Sequence, residues 1–295
     1  MNNKVSSFNK KVEKLVESSR KSPIFAYTKF DWPQSISEEC WWFAPEQLSI
    51  YGTDFYHQAD ETTLKRLSKW ECTNLFSLNI TGEQELIAKV ISIINQPMLC
   101  EVRDYLHHFI EEESQHMWYF NEFCTRYSGK SYDKKTAILN ASNLPQDVEL
   151  LLIFARITIF EEVGHHFNIH NGQDTRVHPF IAELNRAHQQ DEGRHINFGR
   201  LIIAQLAEQV IAKYDREVLD EVERQLRTSM QLVVESFYNP AMYRDAQLGR
   251  GMTIRAALLA DPVRIEYNQN VLLKNIYNVL KRVGLISDAP VFAAA

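Results

Sequence analysis

The sequence HQQDEGRH, at residues 188–195, decides the fold of this chain, together with the related sequence EEESQH at residues 111–116. Both end in the pattern Glu-x-x-His, and the later one has an extra histidine, His188, four residues before its glutamate. Residues three, four or seven positions apart lie on the same face of an α-helix. Each sequence therefore predicts a helix that presents its glutamate and histidine side chains in one direction.

Each Glu-x-x-His also follows a single glutamate at a similar distance. Glu83 precedes Glu113 by 30 residues, and Glu161 precedes Glu192 by 31. With 25 Glu and 10 His in 295 residues, only about 0.8 isolated Glu-x-x-His patterns are expected by accident. Two such patterns on helical segments, each preceded by its own glutamate, predict a metal site built by four helices. The candidate metal ligands are Glu83, Glu113, His116, Glu161, His188, Glu192 and His195.

The helical face selects among neighbouring acids. Glu83 is in register with apolar residues of its helix, whereas Glu85 shares its face with polar residues. On the third helix Glu161 aligns with the apolar face and is preferred to Glu162, but the choice between them stays open. The pair Glu162 and His165 is the competing interpretation of this helix as a source of ligands.

The acids next to the candidate ligands have a predicted role of their own. Among residues 111–113 only Glu113 both aligns with the apolar face and lies three residues before a histidine. Glu112 and Asp191 each directly precede a candidate ligand, so they are placed to accept hydrogen bonds from imidazole N–H groups across the bundle. A plain surface position is the alternative for Glu112. His166 and His170 are predicted to lie behind the ligands or at the surface.

Buried carboxylates require positive partners. Burying four of them unpaired is unfavourable by several kcal/mol each, and few Arg or Lys residues lie on these faces. Two divalent cations supply the missing charge. Carboxylate oxygens with imidazole suit Fe(II) or Mn(II), and the absence of a nearby cysteine argues against thiolate zinc and iron–sulfur sites. Two iron ions are the predicted cofactor, with manganese as an acceptable replacement for one or both.

Apolar residues recur with helical spacing through most of the chain, and no strand pattern is present. Long helices are predicted from Glu61 to Asn95, from Leu99 to Tyr127, from Pro145 to His170 and from Pro179 onward, with further helices over 214–237 and 252–283. Residues 1–58 are predicted to be an N-terminal extension packing on the bundle. Residues 59–295 are predicted to form the bundle and its C-terminal helices, in a single domain overall.

Composition excludes several classes of protein. The net charge of −6 and the absence of a basic stripe argue against a nucleic-acid partner. No run of apolar residues approaches the length of a membrane span, and the basic N-terminus leads into no apolar segment typical of a signal peptide. The four cysteines lie far apart, so we expect reduced thiols and a cytoplasmic protein.

These motifs resemble the p-aminobenzoate N-oxygenase family of non-haem di-iron oxygenases, which belongs to the ferritin-like superfamily. The distinctive feature is His188, one turn before the last Glu-x-x-His. The resemblance implies an all-α, ferritin-like four-helix di-iron bundle with additional N- and C-terminal helices. It also implies a monooxygenase that activates O2 and N-oxygenates or hydroxylates a small amine or arylamine, drawing on an external electron donor. Glu113, Glu192 and His188 are the expected catalytic positions, and a homodimer is left open.

Two other functions compete with this one. The first is a di-iron desaturase or oxidative-cleavage enzyme acting on a fatty-acid-like or amino-acid substrate. The second is a ferritin-like iron-oxidising or storage protein, although such a protein needs neither the aromatic extension nor the helices after residue 210. A substrate cavity is expected beside the metals, with Trp41 and Trp42 closing it. Its predicted walls are Phe109, Phe120, Phe154, Ile157 and Phe198.

Overall fold

Helices make up the folded structure of this chain. The computed structural model describes residues 2–133 and 144–292, with side chains from residue 7 onward. Across those residues no strand forms, and the only β-type pairing is one parallel bridge between Trp41 and Val177. The predicted all-α fold class is confirmed. In chain order the α-helices are α1 (Asn2–Lys21), α2 (Ala26–Lys29), α3 (Asp54–Gln58), α4 (Glu61–Ile93), α5 (Arg103–Phe123), α6 (Gln146–Gln173), α7 (Pro179–Lys213), α8 (Arg216–Ser236), α9 (Pro240–Asp245), α10 (Gly251–Ala260), α11 (Pro262–Tyr267) and α12 (Lys274–Arg282).

The four long helices α4 to α7 form a bundle around the motif residues. Helix α4 packs along α5 and α6 packs along α7, while contacts of α4 with α6 and of α5 with α7 complete the bundle. Two ends follow from local chemistry: the carboxylate of Asp60 accepts the Thr63 N–H at 2.7 Å and begins α4, and Pro179 occupies the first turn of α7. None of the helices in the described part of the chain is long and apolar enough to cross a membrane.

Helix α6 is longer than its sequence predicts. Asn171 and Gly172 read as a helix stop after His170, but the helix continues to Gln173. Both residues serve packing instead. The buried Asn171 side chain accepts the Ala44 N–H at 2.9 Å, and a Cβ on Gly172 would lie 3.0 Å from Cγ of Arg186. The glycine therefore brings α7 close to α6 rather than ending the helix.

The C-terminal region differs from the single helix predicted over 252–283. It is divided into α10, α11, a π-helical turn over Asn268–Leu272, and α12. The division comes at Asp261, whose carboxylate accepts the Val263 N–H at 2.8 Å, and at Pro262, which begins the next helix. The helix predicted over 214–237 corresponds to α8.

The N-terminal extension lies across the bundle and shares its core. Helix α1 packs against α5 and α7. Further along, the Trp42 N–H donates to Oγ of Ser68 at 3.0 Å, and the His178 N–H donates to the carbonyl of Trp41 at 2.9 Å. Trp42 and Leu48 are fully buried within the same core as the bundle helices.

Candidate metal centre

The seven candidate ligands meet in the middle of the bundle, and all are buried. Their side-chain nitrogen and oxygen atoms form two groups, and the atoms of each group lie within 4.8 Å of one another. Ligands on opposite sides of one ion, each bonded at about 2.1 Å, lie roughly 4.2 Å apart, so this spacing suits metal coordination. The first group is Glu83, His116 and His188, and the second is Glu113, Glu161, Glu192 and His195.

Two glutamates lie between the groups. Glu113 directs Oε2 toward Nδ1 of His116 at 3.2 Å and Oε1 toward Nδ1 of His195 at 3.0 Å. Oε1 of Glu192 is 2.9 Å from Nε2 of His188, 3.5 Å from Nδ1 of His195 and 3.8 Å from Nδ1 of His116. Both carboxylates can therefore reach both metal positions.

The acids beside the candidate ligands are exchanged between helices. Nε2 of His116, on α5, donates to Oδ2 of Asp191 on α7 at 3.1 Å. Nε2 of His195, on α7, donates to Oε2 of Glu112 on α5 at 2.8 Å. When an imidazole carries a single proton, these hydrogen bonds hold the proton on Nε2, so that the Nδ1 lone pair of the ring points toward the cluster.

Arg194 links these two acids. Its Nη2 donates to Oε1 of Glu112 at 2.6 Å and also to Oδ1 of Asp191, and the side chain is only 8% exposed. Arg194 is not among the site residues predicted from the sequence. The signal was present, because Arg194 lies three residues after Asp191, within ion-pairing reach on one helix face.

His188 has a different neighbour. The side-chain amide of Asn168, on α6, lies 2.6 Å from Nδ1 of His188, while Nε2 of the ring faces Glu192 and, at 3.4 Å, Oε1 of Glu83. Asn168 is fully buried and its Oδ1 has no hydrogen-bond partner. Nothing in the linear pattern marks this asparagine, which lies 20 residues from the histidine that it contacts.

Glu161 and Glu162 have separate environments, although both are buried. Oε2 of Glu161 points into the cluster, 3.8 Å from Nδ1 of His195. Glu162 instead pairs with Arg200, whose Nε donates to Oε1 at 2.6 Å. The structure thus places Glu161, and not Glu162 or His165, among the clustered residues.

Burial and mutual repulsion distort the proton affinities of the cluster. Burial raises the pKa of Glu83, and the charge of Glu113 raises it further. Burial also raises the pKa of Glu192. Burial alone would raise the pKa of Glu113 too, but the charge of His195 and the hydrogen bond from His116 hold it well below its usual value. The protonated forms of Glu83 and Glu192 are therefore favoured unless positive charge is added beside them.

Several buried atoms of the cluster make no hydrogen bond, although they lie in the interior where polar atoms are normally paired. The atoms are Oε1 and Oε2 of Glu83, Oε1 of Glu113, Nε2 of His188, Oε2 of Glu192 and Nδ1 of His195. Every one of them is a lone-pair donor on a candidate ligand. This set of atoms fits two cations.

Aromatic side chains surround the cluster. The Phe109 ring lies 4.5 Å from the ring of His195, and the Phe120 ring lies 4.9 Å from that of His188. Phe154 and Phe198 pack on one another at 5.8 Å, whereas Ile157 is only partly buried. These residues give the cluster an apolar surrounding, and their role as the walls of a substrate cavity stays a prediction.

Trp41 and Trp42 lie farther from the cluster than the sequence suggests. The Trp42 ring packs on Phe123 at 5.6 Å, about two helical turns beyond His116. Another aromatic side chain of the extension, Phe30, is linked to the cluster through one intervening ring. Its ring is 5.3 Å from the ring of Tyr119, which is in turn 5.7 Å from the ring of His116.

A separate small cavity lies toward one end of the bundle. Its volume is about 20 Å³, roughly the space of one water molecule. Burial raises the pKa of Glu71 in its wall to about 7, although this carboxylate accepts hydrogen bonds from the N–H and the hydroxyl of Ser49. The buried Arg264 also contributes to the wall, and none of the seven clustered side chains does.

Comparison with known proteins agrees with the fold and the site. Over residues 6–284 the chain matches the model of the family described as p-aminobenzoate N-oxygenase AurF. No curated protein sequence is significantly similar. Among solved structures, a valine-to-alanine variant of an R2-like ligand-binding oxidase with an anaerobically reconstituted Mn/Fe cofactor is 14% identical, with a TM-score of 0.50 and 94% of each chain covered. A valine-to-isoleucine variant with an aerobically reconstituted cofactor is also 14% identical over 94% of each chain, with a TM-score of 0.49.

The structural similarity supports a bundle of the ferritin-like type, as expected from the sequence. The family match extends over nearly the whole chain, including α1 and the C-terminal helices. The protein is thus an oxygen-dependent oxidoreductase, and the chain belongs to the p-aminobenzoate N-oxygenase AurF family.

Proposed function

We propose that the protein is a di-iron oxygenase that transfers oxygen to the nitrogen of a small amine or arylamine. The family match supports the class of reaction. The observation that carries the metal assignment is the set of unpaired lone-pair donors on Glu83, Glu113, His188, Glu192 and His195, all buried at one place. Without cations these atoms would lose their hydration and gain nothing in return.

We assign one metal position to Glu83, His116 and His188, and the other to Glu161 and His195. Glu113 and Glu192 would be shared by the two positions, since each carboxylate reaches histidines of both groups. Iron fits this oxygen-rich set with imidazole, and manganese is chemically acceptable in place of one or both ions.

When bound, a pair of ferrous ions supplies two electrons for the activation of O2. Asp191 and Glu112 hold protons on Nε2 of His116 and His195, which keeps both rings in the ligating orientation. For His188 to ligate through Nε2, its proton must lie on Nδ1. The side-chain oxygen of Asn168 must then accept this Nδ1–H. A rotation of the amide group by about 180° brings the oxygen there, and it breaks no hydrogen bond of that oxygen because the oxygen has no other partner.

The apolar surrounding makes a second contribution. Phe109, Phe120 and Phe198 are nearly inaccessible to solvent, so water is excluded from the reacting centre. An amine must be neutral to enter such a place and to offer its lone pair. Nothing in these walls supplies electrons for repeated turnover, so we also propose an external electron donor.

Metal analysis of two variants tests the assignment. Glu113→Ala and Glu192→Ala should each reduce bound iron well below the two ions per chain expected of the parent protein, because each removes a carboxylate shared by both positions. Glu111→Ala is the matched control, since Glu111 is an exposed acid on the same helix. Two irons retained in both variants would show the ligand assignment to be wrong, and tens of irons per parent chain would indicate a storage protein.

Single-turnover experiments test the reaction. Reduced, iron-loaded protein exposed to O2 should form a species with its own absorption band. That band should decay faster with an arylamine than with a fatty acid, and the product should be the N-oxygenated amine. A panel containing both substrate types decides between the candidate reactions. If only fatty-acid-like compounds accelerate the decay, N-oxygenation is wrong and desaturation or oxidative cleavage is the reaction.

A further inference from the structure

One aromatic ring lies where α4, which carries Glu83, and α6, which carries Glu161, approach each other. Phe160 directly precedes Glu161 on α6, and Gly82 directly precedes Glu83 on α4. A Cβ on Gly82 would lie 2.5 Å from Cζ of Phe160, 2.8 Å from Cε1 and 3.0 Å from Cε2. The tip of the ring therefore rests directly on the α4 backbone, in space that only a glycine leaves open.

This ring reaches the surface beside the buried cluster. Phe160 is partly exposed, whereas Glu83 and Glu161 immediately beside it are 2% and 4% exposed. Both carboxylate oxygens of Glu83 have no hydrogen-bond partner. Ile80 and Ile157, on the same two helices, are also only partly buried. The side chains of Phe160, Ile80 and Ile157 thus contribute to the wall between the carboxylates and solvent at this seam.

Two of the other three seams are filled by close packing. Between α4 and α5, the rings of Phe76 and Phe120 pack at 4.4 Å. Between α6 and α7, a Cβ on Gly199 would lie 2.1 Å from Oγ1 of Thr158, so the Thr158 side chain of α6 packs directly on the α7 backbone.

The last seam, between α5 and α7, is both covered and locked. Helix α1 lies across it, and Arg194 ties Glu112 of α5 to Asp191 of α7. Opening this seam would break buried ion pairs, whereas at the α4–α6 seam a rotation of the Phe160 side chain about its two torsions would move the ring off Gly82.

We propose that the Phe160 ring, seated on Gly82, is the gate by which substrate reaches the metal centre and that its size sets the width of the amine admitted. When the ring swings away, the opening is a slot about as thick as the ring itself, roughly 3.5 Å. Such a slot admits a flat arylamine more readily than a branched aliphatic amine. The inference rests on the proposed function, because it assigns the substrate route of that same site.

The gate is tested by the rate at which a flat aromatic probe reaches the oxidised iron-loaded protein. The probe is 4-nitrocatechol, whose absorption changes when it binds ferric iron, and azide serves as a slim probe for comparison. Phe160→Ala should accelerate the binding of 4-nitrocatechol at least about tenfold, equivalent to about 1.4 kcal/mol of opening free energy, and should change azide binding less. Phe160→Leu should lie between, and it keeps the test available if the alanine variant folds poorly.

The methyl group added by Gly82→Ala displaces the Phe160 ring from the α4 backbone and should also accelerate the binding of 4-nitrocatechol. If Gly82 acts through the ring, the double variant Gly82→Ala with Phe160→Ala should be no faster than Phe160→Ala alone. The matched control is Gly193→Ala, because Gly193 also adjoins a candidate ligand glutamate in mid-helix but has no atom within 4 Å of its Cβ position. Its probe kinetics should equal those of the parent.

The outcomes separate the gate from the function. Equal 4-nitrocatechol rates in the parent, Phe160→Ala and Phe160→Leu, all with two irons bound, would overturn the gate and leave the oxygenase untouched. Accelerated probe binding in a protein whose iron never oxygenates an amine would support the gate as a route to the metals while contradicting N-oxygenation. Additive effects of Gly82→Ala and Phe160→Ala would also contradict the gate, since the glycine would then act independently of the ring.

Discussion

At the residue scale, the metal centre depends on atoms that never touch a metal. Nε2 of His116 and of His195 is occupied by a carboxylate from the facing helix, so each ring has one free nitrogen and one orientation. Arg194 neutralises part of the charge that Asp191 and Glu112 bring. Removing one of these partners leaves a buried charge without its counter-charge. This loss destabilises the protein more than the loss of a surface ion pair does.

Asp191→Asn isolates this effect. The change preserves shape but weakens the hydrogen bond to His116 and the pairing with Arg194, and losses of about 10- to 100-fold in metal affinity or activity are typical of such partners. Iron affinity measured by chelator competition, together with turnover, checks this expectation. Asp220→Asn is the control, because that aspartate pairs with Arg216 on an exposed helix face. Parent-like affinity and turnover in Asp191→Asn would remove Asp191 from the centre.

Glu71 gives a prediction about pH, away from the metals. Its pKa of about 7 lies above the ordinary 4.5, so its contribution to stability is fully present below pH 4.5 and is lost as the pH rises through 7. Glu71→Gln removes this loss, which is at most roughly 3 kcal/mol. The free energy of unfolding is measured with urea on metal-free protein at pH 5 and pH 8. The stability of the variant relative to the parent should be greater at pH 8 than at pH 5. Glu111→Gln is the exposed control, and equal pH dependence of parent and Glu71→Gln would contradict the raised pKa.

The sequence predicts residues well where helical spacing applies and poorly where tertiary contacts decide. The seven clustered side chains share helix faces that can be counted from the motifs, and the choice of Glu161 over Glu162 rests on the same count. Asn168 meets His188 across two helices, and the seat of Phe160 on Gly82 depends on how α4 and α6 pack. Such contacts have no local pattern.

At the element scale, α6 and α7 are held together by close packing of a side chain of one helix on the backbone of the other. Gly199 allows this, since a Cβ there would meet Oγ1 of Thr158 at 2.1 Å. The same physical cause explains why α6 passes through Asn171 and Gly172: a glycine that serves helix packing has the same sequence appearance as a glycine that ends a helix. The division of the C-terminal helices, in contrast, follows from Asp261 and Pro262. A helix-capping aspartate followed by a proline is a signal that can be seen in the sequence.

Gly199→Ala should therefore destabilise the fold. The added methyl group must push α6 and α7 apart or displace Thr158, and overpacking of this kind typically costs about 1–3 kcal/mol. Gly193→Ala, on the same helix with open space at its Cβ position, should stabilise by about 0.4–1 kcal/mol through the unfolded chain. Thermal or urea unfolding of both variants measures the difference. A stable Gly199→Ala protein would mean that the Thr158 side chain is not packed closely on the α7 backbone.

At the scale of the whole molecule, the N-terminal extension is part of the core. Trp42, Phe43, Leu48 and Ile50 are all buried beneath or against the bundle. Burying four such side chains contributes roughly 6–12 kcal/mol, which is comparable with the entire stability of a typical domain. We therefore expect residues 1–58 and the bundle to unfold as one unit.

A chain lacking residues 1–58 tests this expectation. It should fail to give a cooperative unfolding transition and should bind hydrophobic dyes, because the surface of α4 and α6 would be exposed. The control is the full chain, which should unfold in a single transition with coincident tryptophan fluorescence and helical circular dichroism. A truncated chain that unfolds cooperatively would make the bundle an independent domain.

The carboxylate exchange between α5 and α7 also has a geometrical meaning. A half-turn about an axis between the two helices would replace Glu112 by Asp191 and His116 by His195, so the centre has approximate two-fold symmetry within one chain. Departures from it are therefore informative. His188 lies four residues before Glu192, but the residue four before Glu113 is a phenylalanine.

A second departure lies beside the histidines. Arg194 precedes His195, whereas Gln115 precedes His116 and accepts the Ala26 N–H of the extension at 2.9 Å. One half of the centre is thus tied to the N-terminal segment and richer in imidazole, and the other is richer in carboxylate. The two metal positions cannot be equivalent by symmetry, so two different metal ions would sort between them rather than occupy them at random.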